Sequence, residues 1–217
     1  MNAIGKWEVR SGKWLFAAVL VLVWGPALCQ QSYSRTGVSV QAKPGGEITW
    51  WKSGRISGLG GVHIEAVNKA ARTNLVADAN EVNVVYFTGT KTKGAVSGLD
   101  SIKSAEFSGS VKMVFTAPKP VKDDTGKQTG EVMTTTQATA DNVTFDGATG
   151  IARLTGHVKI IQDDPSMWAE PAVMTGDKAS INLKRAPGAE DYDFKIESTT
   201  CPSRIEVVPK AREESAK

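Results

Sequence analysis

The chain has 217 residues, enough for one domain with a substantial core or at most two small ones. Its 41% hydrophobic and 23% charged residues are those of a globular protein and exclude a disordered or collagen-like one. The formal charge is +3, but Lys6, Arg10 and Lys13 against Glu8 supply most of it; the rest of the chain holds 23 basic and 22 acidic residues, with no basic stripe to meet a nucleic acid.

The first elements in chain order are a positive segment and an unbroken apolar run, Trp14 to Trp24, which Gly25-Pro26 ends. Crossing a membrane takes about 20 apolar residues. This run is shorter, and small residues follow it, so residues 1–29 are expected to be a secretory signal peptide. The rival expectation is retention as an inner-membrane anchor through residues 14–28. Cleavage after Ala27-Leu28-Cys29 would leave Cys201 as the one remaining cysteine, a small apolar residue or a free thiol; a Cys29–Cys201 disulfide requires Cys29 to survive. No Cys-x-x-Cys or zinc spacing occurs, and neither a metal nor another cofactor is expected.

Three later segments share a pattern. Ile56–Ile64, Phe107–Met113 and Leu154–Ile160 each contain Gly-x-Val-x-(Ile/Met), with the glycines at 60, 109 and 156. Each alternates with period two, which marks a strand with one buried face. Phe107, Val111, Met113 and Phe115 fall on one side, and Ser108, Ser110 and Lys112 on the other. A companion element accompanies each segment: Ala79–Val84, Ala140–Phe145 and Gly176–Ile181, all (Ala/Gly)-(Asp/Asn)-x-apolar-x-apolar. The alternation sets Asn80, Asp141 and Asp177 on the apolar side, where they are expected to mark strand starts at the rim of a sheet. Loops are expected at Asn68–Asn74, at Pro118–Gly130 as a projecting insert, and at Asp163–Pro171, with a tight turn at Asp146–Gly150. Tyr192, Phe194 and Ile196, then Ile205 and Val207, read as closing strands, and a charged tail ends the chain. The sum is about ten antiparallel strands in hairpin order and almost no helix, with two layers facing each other or one sheet folded over.

The stretch 138–183 resembles the OstA-like domain of periplasmic lipopolysaccharide-transport proteins of the LptA and LptC kind. The likeness rests on Ala140-Asp141, Val143 and Phe145, on Leu154-Thr155-Gly156-His157-Val158, and on Gly176-Asp177 with Ala179. It covers about a fifth of the chain, and the earlier units follow it more loosely. Trp50-Trp51, the extra glycine of the first unit and the 118–130 segment depart from the family rhythm. The resemblance implies an all-β, V-shaped or taco-like antiparallel β-jelly roll built from repeated strand pairs. It implies an apolar interior that shields the acyl chains of lipopolysaccharide or a related glycolipid in the periplasm. It also implies edge-strand pairing with other OstA-like domains of a transport bridge, and leaves homo-oligomer formation open. The interior residues so implied are Val62, Ile64, Val82 and Val84 from the first units, Val111, Met113 and Phe115 from the second, and Val143, Phe145, Leu154, Val158, Ile160 and Ile181 from the third.

The domain division expected is 1–29 for export, 30–47 as a linker or N-terminal segment, 48–209 as the β-domain and 210–217 as tail. The competing reading of the apolar stripe is a closed sandwich core without cargo, in a structural or polysaccharide-associated envelope protein. A secreted hydrolase ranks third, because no nucleophile with an assignable base is visible: His63 and His157 are expected on the polar face with no carboxylate to orient them, and Cys201-Pro202 stands alone. Asp123-Asp124, Asp163-Asp164 and Glu190-Asp191-Asp193 lack the oxygen spacing of a calcium loop and read as solvated. Trp50-Trp51 are expected to cap the entry end, with sugar stacking or a membrane interface as alternatives.

Overall fold

The computed structural model describes residues 32–35, 37–87, 98–123, 125–184, 193–200 and 202–210. The signal or anchor segment, Cys29, Cys201, Asp124, Glu190-Asp191, Tyr192 and the tail after Lys210 lie outside the described residues, so the expectations on them stand as made. Among the described residues no helix is long and apolar enough to cross a membrane.

Among the described residues thirteen strands form one antiparallel sheet. In chain order they are β1 (Ser32–Arg35), β2 (Val38–Ala42), β3 (Glu47–Trp51), β4 (Arg55–Leu59), β5 (Val62–Asn68), β6 (Thr73–Ala79), β7 (Glu81–Tyr86), β8 (Ile102–Lys122), β9 (Gln128–Asp146), β10 (Ile151–Asp163), β11 (Trp168–Asn182), β12 (Phe194–Glu197) and β13 (Arg204–Pro209). A single 3-10 turn, Gly98–Ser101, precedes β8.

The sheet is folded into two leaves. One leaf runs β1-β2-β5-β6 and continues through the residues of β8 after Val111, β9 before Ala140, β10 after Val158 and β11 before Gly176, ending on β13. The other runs β3-β4-β7 and continues through the complementary halves of β8, β9, β10 and β11, ending on β12. Strands β8 to β11 therefore cross from leaf to leaf, and the two leaves bury one continuous apolar cluster between them. This is the V-shaped all-β roll that the resemblance implies.

The repeated glycines make the fold line. Backbone φ is positive at Gly60 and Gly61 (77° and 95°), at Gly109 and Ser110 (77° and 53°), and at Gly156 and His157 (77° and 47°). Two successive left-handed residues bend β8 and β10 sharply without ending them, as a bulge bends a sheet, while Gly60-Gly61 make the corner between β4 and β5. The ladders break register at these points, between Ser108 and Val111 and between Thr155 and Val158. Asn80, Asp141 and Asp177 lie along this line and not at a rim: Asn80 directly precedes β7, as a strand start, whereas Asp141 and Asp177 lie inside β9 and β11. A Cβ on Gly109 would sit 2.6 Å from Asn80 Nδ2, and one on Gly156 would sit 2.2 Å from Asp141 Oδ2. Glycine is thus required there twice over, by its φ and by the side chain packed on it. The Asn80 N–H donates to the carbonyls of Ser108 (3.1 Å) and Gly109 (3.0 Å), so the polar residue also satisfies backbone groups that the bend strips of ladder partners.

Some expectations need correction. Pro118–Gly130 is not a projecting loop: β8 and β9 stay paired out to Lys122 and Gln128, so most of it is a long hairpin arm. Pro118 and Pro120 fit there because β6 has already ended at its pairing with Thr116, and an edge position tolerates a missing N–H. The turn at the tip is tied by Asp123 Oδ1, which accepts from Thr125 N and Oγ1 and from Lys127 N; these bonds, that of the Thr125 hydroxyl foremost, lower the carboxyl below its ordinary value. Asp163–Pro171 is likewise mostly strand, with β11 already under way at Trp168. Strands also form within 30–47, where β2 buries Val38 and Val40 completely.

Candidate functional site: the enclosed apolar interior

Period-two alternation sends every second side chain of the inner strands into the space between the leaves, while β3, β12 and β13 at the edges have no buried residue. All thirteen residues expected to face the interior are there, and none is more than 7% exposed. Val62, Ile64, Met113, Phe115, Val111, Val158 and Ile160 come from the first leaf; Val82, Val84, Val143, Phe145, Leu154 and Ile181 from the second. The two sets close on each other. The free space between Ile64, Leu75 and Met113 on one side and Val84, Ile102, Phe145 and Leu183 on the other is about 10 Å³. That is roughly the room one water needs.

Several interior residues were not singled out in the sequence. Val38, Val40 and Ala42 of β2 lie outside any Gly-x-Val unit, though their own alternation was a readable signal. Leu99, 5% exposed, stands on the 3-10 turn, where strand periodicity has no bearing. Polar members of the interior were missed as well. Thr134, Thr136, Gln162 and Asp164 are all 7% exposed or less, on neighbouring β9 and β10 positions and the turn after β10.

Asp164 is not the solvated loop carboxylate expected. Its Oδ2 lies 2.6 Å from Lys119 Nζ, and its Oδ1 accepts from Ser166 N (3.0 Å) and Ser166 Oγ (2.5 Å). Burial pushes this carboxyl up, but Lys119 and Ser166 together outweigh it, so the group stays below the usual carboxylate range. Lys119 thereby joins the β8–β9 arm to the β10–β11 turn, and its Nζ comes within 3.8 Å of Asp193 on the second leaf.

The side opposite the fold line has a second crossing point. Asp100, on the 3-10 turn, accepts from Asn68 Nδ2 at 3.2 Å and pairs with Lys184 Nζ at 3.2 Å. Asn68 ends β5 in the first leaf, while Lys184 follows β11 in the second and also donates to the Gly147 carbonyl at 2.7 Å.

The outer face is polar. Both histidines are there, as expected, but each has a carboxylate partner that the sequence did not reveal. His157 Nδ1 lies 2.8 Å from Asp141 Oδ2, and His63 Nδ1 lies 3.3 Å from Asp78 Oδ1. The first partner sits 16 residues away in sequence, brought alongside by the bend. The hydrogen bond to Asp141, then its charge, raises the His157 imidazole above its ordinary 6.5. Neither pair is joined by a third ligand: among the described residues no three His, Cys, Asp or Glu side chains gather where they could hold a metal. Asp177 Oδ2 instead accepts from Thr199 N (2.9 Å), Thr199 Oγ1 (3.1 Å) and Thr200 Oγ1 (3.0 Å), pinning the chain after β12.

Edge strands complete the described surface. Among the described strands β1 pairs only with β2, β3 only with β4, and β12 and β13 only with β11. The edge strand β3 carries Trp50 and Trp51, 56% and 40% exposed, with the Arg55 guanidinium 5.0 Å from the Trp51 ring centre. At the other end β13 exposes Ile205 and Val208.

No family model matches the chain, and no curated protein does. Among solved structures the chain is similar to LptH from Pseudomonas aeruginosa, described as the LptA-homologous periplasmic component of the lipopolysaccharide transport device, at 16% identity over 80% of this chain and 95% of that one, with a TM-score of 0.44.

Proposed function

We propose that this protein is an exported, periplasmic lipid carrier of lipopolysaccharide transport and outer-membrane assembly. Acyl chains of lipopolysaccharide or a related glycolipid would lie between the two leaves, against Val62, Ile64, Val111, Val143, Leu154 and Val158. The observation that carries the proposal is the coincidence of two patterns. The residues that resemble the OstA-like rhythm, Ala140-Asp141 through Gly176-Asp177, are the ones that bend the sheet and line its apolar interior. A hydrophobic lining with few polar groups is how a site for an apolar ligand is built. Edge strand β1 at one end and β12 and β13 at the other would pair with like domains through their edges. Photo-crosslinking amino acids placed at Val143 and Val158 should capture glycolipid in cells, while the same probe at the outward Lys112 should not. Lipid capture absent from both interior positions would remove the carrier role.

A second reading is favoured by one observation, the small free volume. The cavity that Ile64, Val84, Met113 and Phe145 line has only about 10 Å³, and the interior residues around it are buried as in a closed sandwich core. An envelope protein of the same fold without cargo would keep it so.

A further inference from the structure

Any cargo has to part the two leaves, and the structure shows where they part most easily. On the fold-line side, β8 to β11 run unbroken from leaf to leaf, and separation there would tear their ladders. On the opposite side, among the described residues, the leaves meet through side chains. The 3-10 turn Gly98–Ser101 lies across that side, with Leu99 facing the same interior space as Ile64, Leu75, Phe145 and Leu183. Asp100 holds the turn to both leaves at once, through Asn68 Nδ2 (3.2 Å) and Lys184 Nζ (3.2 Å). Ser101 Oγ donates to the Gly98 carbonyl at 2.7 Å, which makes the turn one unit. Gly98 has φ +62°, and a Cβ there would meet the Val67 backbone at 2.9 Å, so the turn seats directly on β5.

We propose that the 98–101 turn is the entry gate for apolar chains, with Leu99 as its plug and Asp100 as its latch. The gate rests on the carrier reading above and names how that interior is reached. Its latch is suited to opening: Asp100 is half exposed, and ion pairs and hydrogen bonds in such a place are weak. Another crossing among the described residues, Lys119 to Asp193, is the longer contact at 3.8 Å, and Lys119 is held more closely by Asp164 on its own leaf.

The test is stopped-flow uptake of N-phenyl-1-naphthylamine, an uncharged apolar fluorophore, by the full chain. Asp100→Ala is expected to speed uptake about fivefold, the loss of two weak contacts, with the final fluorescence unchanged. Lys184→Gln breaks one contact from the other side and should give a smaller increase; it also keeps the test valid should Asp100→Ala fold poorly. Asp123→Asn, at the tip of the arm, should leave the rate alone. Uptake by the unaltered chain with no acceleration in either latch variant would overturn the gate and leave the carrier standing. No uptake by any of the proteins would overturn both.

Discussion

Gly109 and Gly156 show what single residues contribute to this fold. Each takes a left-handed φ, and each is covered by a polar side chain, Asn80 or Asp141, that leaves no room for a Cβ. Alanine at either position should cost about 1–3 kcal/mol of unfolding free energy from strain alone, measurable by urea denaturation; a change below 0.5 kcal/mol, the usual spread of neutral surface substitutions, would contradict the fold-line account. The carboxylates divide by environment. His157, raised by Asp141, contributes its stabilisation below its ordinary pKa and loses it as the pH rises through the elevated value. Titration followed by NMR should therefore show the His157 midpoint above 6.5, falling when Asp141 is replaced by Asn. Asp164 has the opposite sign: its contribution is present above the ordinary 3.8 and disappears as the pH falls through its lowered value. Removing its partner by Lys119→Met strands a buried charge and should destabilise by about 3–5 kcal/mol, more than any exposed pair on this surface.

At the scale of elements, the period-two stripes were legible because a half-buried strand has to alternate, and the thirteen apolar residues named from that pattern are all interior. What alternation could not reveal is where strands end. The long arm 118–130 looks like a loop by composition, since proline, glycine and aspartate cluster there, yet ladder pairing holds it as strand wherever an edge can accept proline. Asp163-Asp164 illustrates the same blindness. Two adjacent acids look alike in sequence, but only Asp164 is turned inward, and its partner Lys119 is 45 residues away. The His157–Asp141 pair was hidden for the same reason, because only the bend brings β9 and β10 into that register. Leu99 had no periodic signal at all. Core substitutions test the element-level account: Leu154→Ala, in a 1% exposed site of the third repeat, should cost about 2–5 kcal/mol, whereas Val208→Ala on the exposed edge strand β13 should lie within about 0.5 kcal/mol of the parent.

For the whole molecule, the repeated bends and the two-leaf interior fit one physical scheme. A sheet with one apolar face must cover it. Here it does so by folding along a line of glycines, which leaves one side closed by backbone and the other by side chains. On the carrier proposal, the same construction would be a sealed core when empty and a sheath for apolar chains when the side-chain contacts yield. On the same proposal, the edge strands at the two ends would let such sheaths join. The most direct test is native mass spectrometry of the protein purified from envelope extract. The carrier account predicts a mass excess matching a glycolipid, reduced when Val143 and Val158 are replaced by bulkier tryptophan. A bare protein mass, unchanged when lipopolysaccharide is offered, would contradict it and leave a closed structural sandwich.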